Sequence, residues 1–280
     1  KEPQNPQVPR RKLGKTGEMV PVLSLGCMFN AVDNQMILRK AFQFGVRYWD
    51  TSHSYSGGNS ELGIGKFLEK YPHLRKDLFI VSKASGARTV SDVEDRLETS
   101  FKRMNTDYID LYYGVHGLND PDQLTDELRD WAADAKKRGA IKHFGFSTHK
   151  NMPECLQRAA ELDWIDVIMT TYNFRYLSDP KMQAAVKACQ KANIGLVAMK
   201  VQAYKVEEEL PEGMQKFVDS GYTQGQAKLK SILEDDRVAS ACVGRGSIEH
   251  LSLNIAAVLD KTELSSAEKQ AMRQYAAETC

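Results

Sequence analysis

The 280-residue chain has no apolar run approaching the ~18 residues that a membrane span requires, and no apolar stretch near its start that reads as a signal peptide. Charge of one sign is missing too: 38 Lys and Arg stand against 37 Asp and Glu, a net charge of +1 that gives no reason to invoke nucleic acid or a membrane surface as partner. Cysteine is sparse. Cys27, Cys155, Cys189, Cys242 and Cys280 make an odd total of 5 with no CxxC spacing, so neither disulfides nor a metal site is expected, and Cys27 and Cys242 read as small buried hydrophobes inside apolar runs. There is no internal repeat, low-complexity tract or shift of composition to mark a second domain. No GxGxxG follows the first strand-like run, which argues against an open doubly wound sheet. Residues 1–280 therefore read as one domain, 42% hydrophobic and 27% charged. That length suits a single barrel of ~250 residues.

What is present is an alternation of strand and helix signals. The runs VLSLGCM, VRYWD, LFIVSK, YIDLYYGV, HFGFS, VIMTTY, GLVAMK and VASACVG are too short for helices and rich in β-branched or aromatic residues. Amphipathic segments lie between them, over about Gln35 to Phe44, Asp122 to Lys137, Met152 to Leu162, Lys181 to Ala192, Thr223 to Leu233 and Ile248 to Leu259. In SDVEDRLETSFKRM, Ser91 and Glu94 form a capping-box pattern, and Val93, Leu97 and Phe101 recur every four residues. The spacing of SSAEKQAMRQYAAET predicts a last helix packing through Ala267, Met272 and Tyr275. Strands alternating with helices imply a parallel sheet closed into a (β/α)8 TIM barrel.

Four chemically loaded residues fall at or just after these strands: Asp50, Tyr55, Lys83 and His116. A tyrosine hydroxyl, with a pKa near ~10 when isolated, is a poor acid at neutral pH. A neighbouring ammonium lowers that value by stabilising the phenolate, and a carboxylate can hold the ammonium in place. Groups at the C-terminal ends of consecutive barrel strands converge on one face, where such barrels build their sites. Taken singly, each residue also reads as an ordinary strand end or loop residue.

From RKLGKTGEMVPVLSLGCM to VGRGSIEHLSLNI the chain resembles the aldo-keto reductases, with Asp50, Tyr55, Lys83 and His116 matching that family's catalytic tetrad in order and context. The resemblance implies reduction of aldehydes or ketones by hydride from a nicotinamide cofactor, with Tyr55 as proton donor. It also implies that KLGKTGEMV forms a β-hairpin plugging the barrel bottom. The favoured cofactor is NADP(H), with NAD(H) use left open, and the partner is a small-molecule carbonyl compound. By the same resemblance, Ser147 and Thr148 take the place of the family's carboxamide-binding Ser and Asn, and its glutamine falls at Met169. Asn173 is a polar neighbour and Met199 replaces the aromatic that stacks on the nicotinamide, while Lys200, at the strand end, reads either as a phosphate contact or as a surface lysine. In VGRGSIEHLSLN, glycines followed by a helix N-terminus form an anion site, with Ser247 as cap and Arg245 as counter-charge. The family's 2′-phosphate-gripping lysine and arginine fall at Gly244 and His250, Gly246 completes the turn, and Asn254 matches an adenine-contacting asparagine.

Met28, Phe29, His53, Leu118 and Phe174 are the expected substrate walls. Two other readings are a nucleotide-binding regulatory module of the same fold and an electron-transfer-coupled enzyme. The second follows from YAAETC at Cys280, which resembles the start of a C-terminal iron–sulfur extension found in some larger members. On this reading the natural chain continues beyond Cys280. A cytoplasmic location is expected, Arg10 and Arg11 being followed by a stretch too polar for an export signal. The start at Lys1 rather than Met is consistent with a removed leader. Oligomeric state and substrate identity are not legible.

Overall fold

The computed structural model describes residues 5–203, 212–244, 246–260 and 263–278. Eight parallel strands close into a barrel: β3 (Leu23–Gly26), β4 (Tyr48–Asp50), β5 (Phe79–Lys83), β6 (Ile109–Leu118), β7 (Ile141–Thr148), β8 (Val167–Thr171), β9 (Gly195–Met199) and β10 (Val238–Val243). Strand β10 pairs with both β9 and β3 and so completes the ring. All eight expected apolar runs are strands, for the reason their composition gives: each is buried on both faces. Strands β6 and β7 are the longest, at 10 and 8 residues.

The ring is filled from within by Tyr48, Phe79, Val81, Leu111, Tyr113, Val167, Met169 and Val197, and Leu13 joins them from below. Leu13 belongs to the N-terminal hairpin in which β1 (Arg10–Lys12) pairs antiparallel with β2 (Met19–Pro21). The turn between them lies against the start of β9, where Lys15 N donates to Asn193 O at 2.6 Å. This is the expected plug.

Helices α1 (Gln35–Gln43), α2 (Asn59–Lys70), α3 (Val90–Met104), α4 (Asp126–Lys137), α5 (Met152–Ala160), α6 (Pro180–Lys191), α8 (Gln224–Leu233) and α9 (Ile248–Leu259) accompany the barrel, with α7 (Glu212–Asp219) between β9 and α8 and α10 (Ser266–Glu278) last. Helices α2 and α7 were not expected. The capping box of α3 is Thr89 with Asp92 rather than Ser91 with Glu94, because the helix begins at Val90, one residue before that serine. Ser247 caps α9 as expected, and Thr223 caps α8 with Gln226 in a capping box that was not expected. In α10 the buried residues are Ala271, Met272, Tyr275 and Ala276, whereas Ala267 is exposed because it lies outside that stripe. Tyr275 stacks on Phe174 at 4.9 Å between ring centroids.

Candidate active site

Because β4 and β5 are parallel neighbours, their last residues emerge side by side at the C-terminal end of the barrel. There Lys83 Nζ donates to Asp50 Oδ1 at 2.6 Å and to Thr51 O at 2.7 Å. Both side chains are almost fully buried, with 1% and 4% exposure. Burial pulls the Lys83 pKa down, but Asp50 and Tyr55 outweigh it and the net shift is upward, so the ammonium persists. Burial pushes the Asp50 carboxyl up more than Lys83 draws it back. Asp50 Oδ2 is buried, with no hydrogen-bond partner among the described residues.

Tyr55 follows β4 in a tight turn, Tyr55–Gly58, in which Ser56, Gly57 and Gly58 all have positive φ. Gly58 suits the turn because its φ of +96° is left-handed. The turn brings the Tyr55 hydroxyl to 3.4 Å from Lys83 Nζ, with the ammonium 4.8 Å from the ring centroid. The lysine was expected to lower the tyrosine pKa. It does pull downward, but burial is the larger influence and the net shift is upward, because Lys83 lies closer to Asp50 than to the phenol. At neutral pH the residue is a protonated phenol facing the cavity.

His116 lies far along β6, between two irregularities in its pairing with β7, the second ending at Gly117 to Leu118. Such bulges re-aim side chains beside active sites. Its ring meets that of Tyr55 edge-on, 6.0 Å between centroids, and its Nδ1 lies 2.7 Å from Ser85 Oγ. Burial, then the positive field of Lys83 and the neighbouring His149, depress its pKa to about 3.

The turn carrying Tyr55 is braced from behind by a network that sequence reasoning missed. Glu61 on α2, fully buried, accepts from Ser82 Oγ and Ser100 Oγ, both at 2.6 Å, and from Arg103 at 3.1 Å. Arg103 also donates to His53 O at 2.6 Å.

A cavity of about 420 Å³ opens above the tetrad, lined by Gly26, Met28, Asp50, Tyr55, His116, His149, Met169, Met199, Lys200 and Gly244 among others. Of the expected substrate walls only Met28 is among the lining residues. His53 is turned behind the Tyr55 loop toward Arg103; Leu118 is fully buried in the outer core; Phe174 is buried against Tyr275; and Phe29 packs beside Gly246. Ser147 and Thr148 are buried too: Ser147 Oγ accepts from Gly117 N at 3.1 Å, and Thr148 Oγ1 donates to Leu118 O at 2.7 Å. Their successor His149 reaches the cavity instead, with Nδ1 3.1 Å from Thr171 Oγ1 and a pKa lowered to about 4 by burial, then by Lys200 and Lys83. Asn173 caps the turn that follows it, accepting from Arg175 N at 3.1 Å. Asn254 is buried on α9 and accepts from Gln202 at 2.8 Å, which puts Gln202 on the lining as well. His250 is exposed on the first turn of α9, and Arg245 lies outside the described residues, as does Cys280.

These residues fit a dinucleotide. The cavity runs from Tyr55 to Gly244, where a Cβ would lie 2.0 Å from Gly26 O, so only bare backbone fits between β10 and β3 at the start of the α9 turn. A second cavity of about 510 Å³ beside the hairpin is lined by Arg11, Lys230, Glu234, Asp260 and Lys269 among others, and these five are engaged with one another or with helix-end carbonyls.

The family model of the aldo/keto reductases matches residues 24–204, over the strands that carry all four tetrad positions. The chain belongs to the aldo/keto reductase family. It is similar to an NADP(+) aldo-keto reductase of Schizosaccharomyces pombe, 27% identical over 74% of this chain and 66% of that protein. It is also similar to L-glyceraldehyde 3-phosphate reductase of Escherichia coli, 25% identical over 97% of this chain and 93% of that protein. Among solved structures, a thermostable aldo-keto reductase in complex with the inhibitor epalrestat superposes with a TM-score of 0.76 at 28% identity, covering 95% of this chain and 98% of that one. An aldo-keto reductase of Bacillus halodurans shares the fold with a TM-score of 0.78 at 24% identity, over 96% of each chain. Among the described residues no helix of this aldo/keto reductase is long and apolar enough to cross a membrane.

Proposed function

We propose that this aldo/keto reductase reduces aldehydes or ketones to alcohols, with Tyr55 as the proton donor and NADPH as the reductant. The observation that carries the reading is the cluster itself: a protonated phenol beside a buried ammonium that Asp50 holds, facing a cavity long enough to reach the α9 turn. When bound, the nicotinamide supplies a hydride to the carbonyl carbon. The protein's part is to orient the substrate oxygen between Tyr55 and His116 and to deliver the phenolic proton to it as charge develops there. Lys83 stabilises the resulting tyrosinate, and Asp50 keeps Lys83 charged and in place. In alcohol oxidation the same tyrosinate would take the proton back.

Met199 and Met169 would offer polarizable surfaces to the nicotinamide ring, with His149 at its polar edge. Gly244, Gly246 and the α9 turn capped by Ser247 would hold the phosphates, with Lys200 as a cationic neighbour. The NADP(+) in the fission-yeast relative's name supports NADPH over NADH. The expected outcome of a thermal-shift titration is a larger stabilisation by NADPH than by NADH. NADPH oxidation with a panel of aldehydes and ketones should then show turnover, and no turnover with any of them would refute the reading.

A further inference from the structure

Behind His116 lie two serines that the reading above does not use. Ser85 Oγ is 2.7 Å from His116 Nδ1, Ser52 Oγ is 3.4 Å from the same nitrogen, and the two hydroxyls are in hydrogen-bond contact with each other. Ser52 is fully buried, and among the described residues neither hydroxyl has another protein partner. We infer that Ser85, backed by Ser52, is a positioning residue that fixes His116 as the tautomer carrying its proton on Nε2.

The argument is a count of protons. Each hydroxyl has one proton to give, and a neutral imidazole has one nitrogen with a lone pair and one with a proton. If Nδ1 bears the lone pair, Ser52 donates to Ser85 and Ser85 donates to Nδ1, so both hydroxyl protons are bound within the triad. If Nδ1 bears the proton, that proton occupies the contact with Ser85. The contact between the serines then holds one hydroxyl proton, and the other has no protein acceptor. The partner of one ring nitrogen sets the tautomer at the other, so the triad leaves Nε2–H as the cavity-facing group. Burial beside Lys83 keeps the ring neutral at physiological pH.

The consequence is a division of labour that rests on the proposed function: His116 can donate a hydrogen bond to a carbonyl oxygen, but the N–H of a neutral imidazole is too weak an acid to transfer its proton, which leaves Tyr55 as the acid. In Ser85→Ala the chain is cut. The ring then keeps only the distant Ser52, both tautomers become populated, and the fraction with an Nε2 lone pair would repel a carbonyl oxygen. Ser85→Thr preserves the hydroxyl.

The test is long-range ¹H–¹⁵N NMR of the histidine rings in the uniformly labelled full chain at pH 7, with His116 assigned by the signals lost in His116→Gln. The expected wild-type spectrum shows an unprotonated Nδ1 and a protonated Nε2 for His116. Ser85→Ala should average the two ¹⁵N shifts toward each other, and Ser85→Thr should restore them. Turnover in Ser85→Ala should fall about tenfold in kcat at unchanged NADPH affinity, about 1.4 kcal/mol on the barrier. A wild-type His116 protonated on Nδ1, or His116 signals unaltered by Ser85→Ala, would overturn the inference. A wild-type protein with the expected spectrum but no reductase activity would sink the proposed function while supporting the tautomer.

Discussion

Replacing Asp50 with asparagine is nearly isosteric, yet it removes the only carboxylate among the described residues that faces Lys83, in a site where the lysine is 1% exposed. Nζ would keep Thr51 O at 2.7 Å and Tyr55 Oη at 3.4 Å, both uncharged. Breaking a buried ion pair from one side costs about 3–5 kcal/mol. The protein can limit that loss by releasing the lysine proton. With an ordinary lysine pKa of ~10.4, neutralisation costs ~1.36 kcal/mol for each pH unit below that value, or about 4.6 kcal/mol at pH 7 and about 1.9 kcal/mol at pH 9. The sign follows from the protons bound. In Asp50→Asn the folded lysine pKa is depressed below the unfolded one, so the unfolded chain holds more protons and stability rises with pH. In the wild type the folded pKa is raised, so this site contributes no such slope between pH 7 and 9. Urea unfolding followed by far-UV circular dichroism should therefore show a variant weaker by about 3–4.6 kcal/mol at pH 7, with the gap shrinking to about 2 kcal/mol at pH 9. A gap that is the same at both pH values, or below ~1 kcal/mol at pH 7, would refute the assignment of Lys83 as a buried charge held by Asp50.

Tyr55→Phe keeps the ring over Lys83 and loses a hydroxyl whose 3.4 Å contact is long. It should lower kcat by ~10²–10⁴ with cofactor affinity nearly unchanged, and near-normal turnover would exclude Tyr55 as the acid. The pH profile of wild-type reduction should be level around ~6.5, where an unperturbed histidine titrates, because His116 stays neutral down to about 3. Its alkaline limb should lie above the ordinary tyrosine value, since burial raises Tyr55, and an inflection near ~6.5 would mark a titrating imidazole at the site. Gly244→Ala places a methyl 2.0 Å from Gly26 O, so β10 and β3 must part. Both the melting temperature and NADPH affinity should fall, with a stability loss of about 1–3 kcal/mol, and an unchanged melting curve would show that the strands can accommodate it.

The strands, and with them the places of Asp50, Lys83 and His116 at or near their ends, were legible because each run is short, apolar and buried by a barrel on both faces. Helix α2 was not, and the reason is physical. Gly63 and Gly65 lie inside it and lower its helix propensity, but a Cβ at Gly63 would lie 2.2 Å from the Ala31 carbonyl carbon and one at Gly65 would lie 2.1 Å from Arg103 O. Close packing overrides propensity there. Some expected pocket residues, Ser147 and Thr148 among them, lie away from the cavity for a different reason. Alternation along β7 can be read only if the exit angle of the strand is known, and the chain bends so that His149, not Thr148, meets the cavity. The roles of Glu61, Ser85 and Gln202 depend on contacts distant in sequence, for which no local pattern exists.

The unequal strand lengths have a consequence for how such a site can diversify. Beyond Tyr113, the partner of Lys83, strand β6 runs on to Leu118 in company with β7, adding roughly 16 Å of rim on one side at ~3.3 Å per residue. That raised wall is made of ladder, whose backbone groups are committed to each other, and it carries His116. The opposite rim, after β3, β9 and β10, is formed by connecting segments with Met28, Lys200 and Gly244 at their starts. Insertions are tolerated in segments of that kind and not in paired strands. The wall that carries His116 is thus built to stay fixed, while the segment after β3, which begins near Met28, is free to vary without disturbing it.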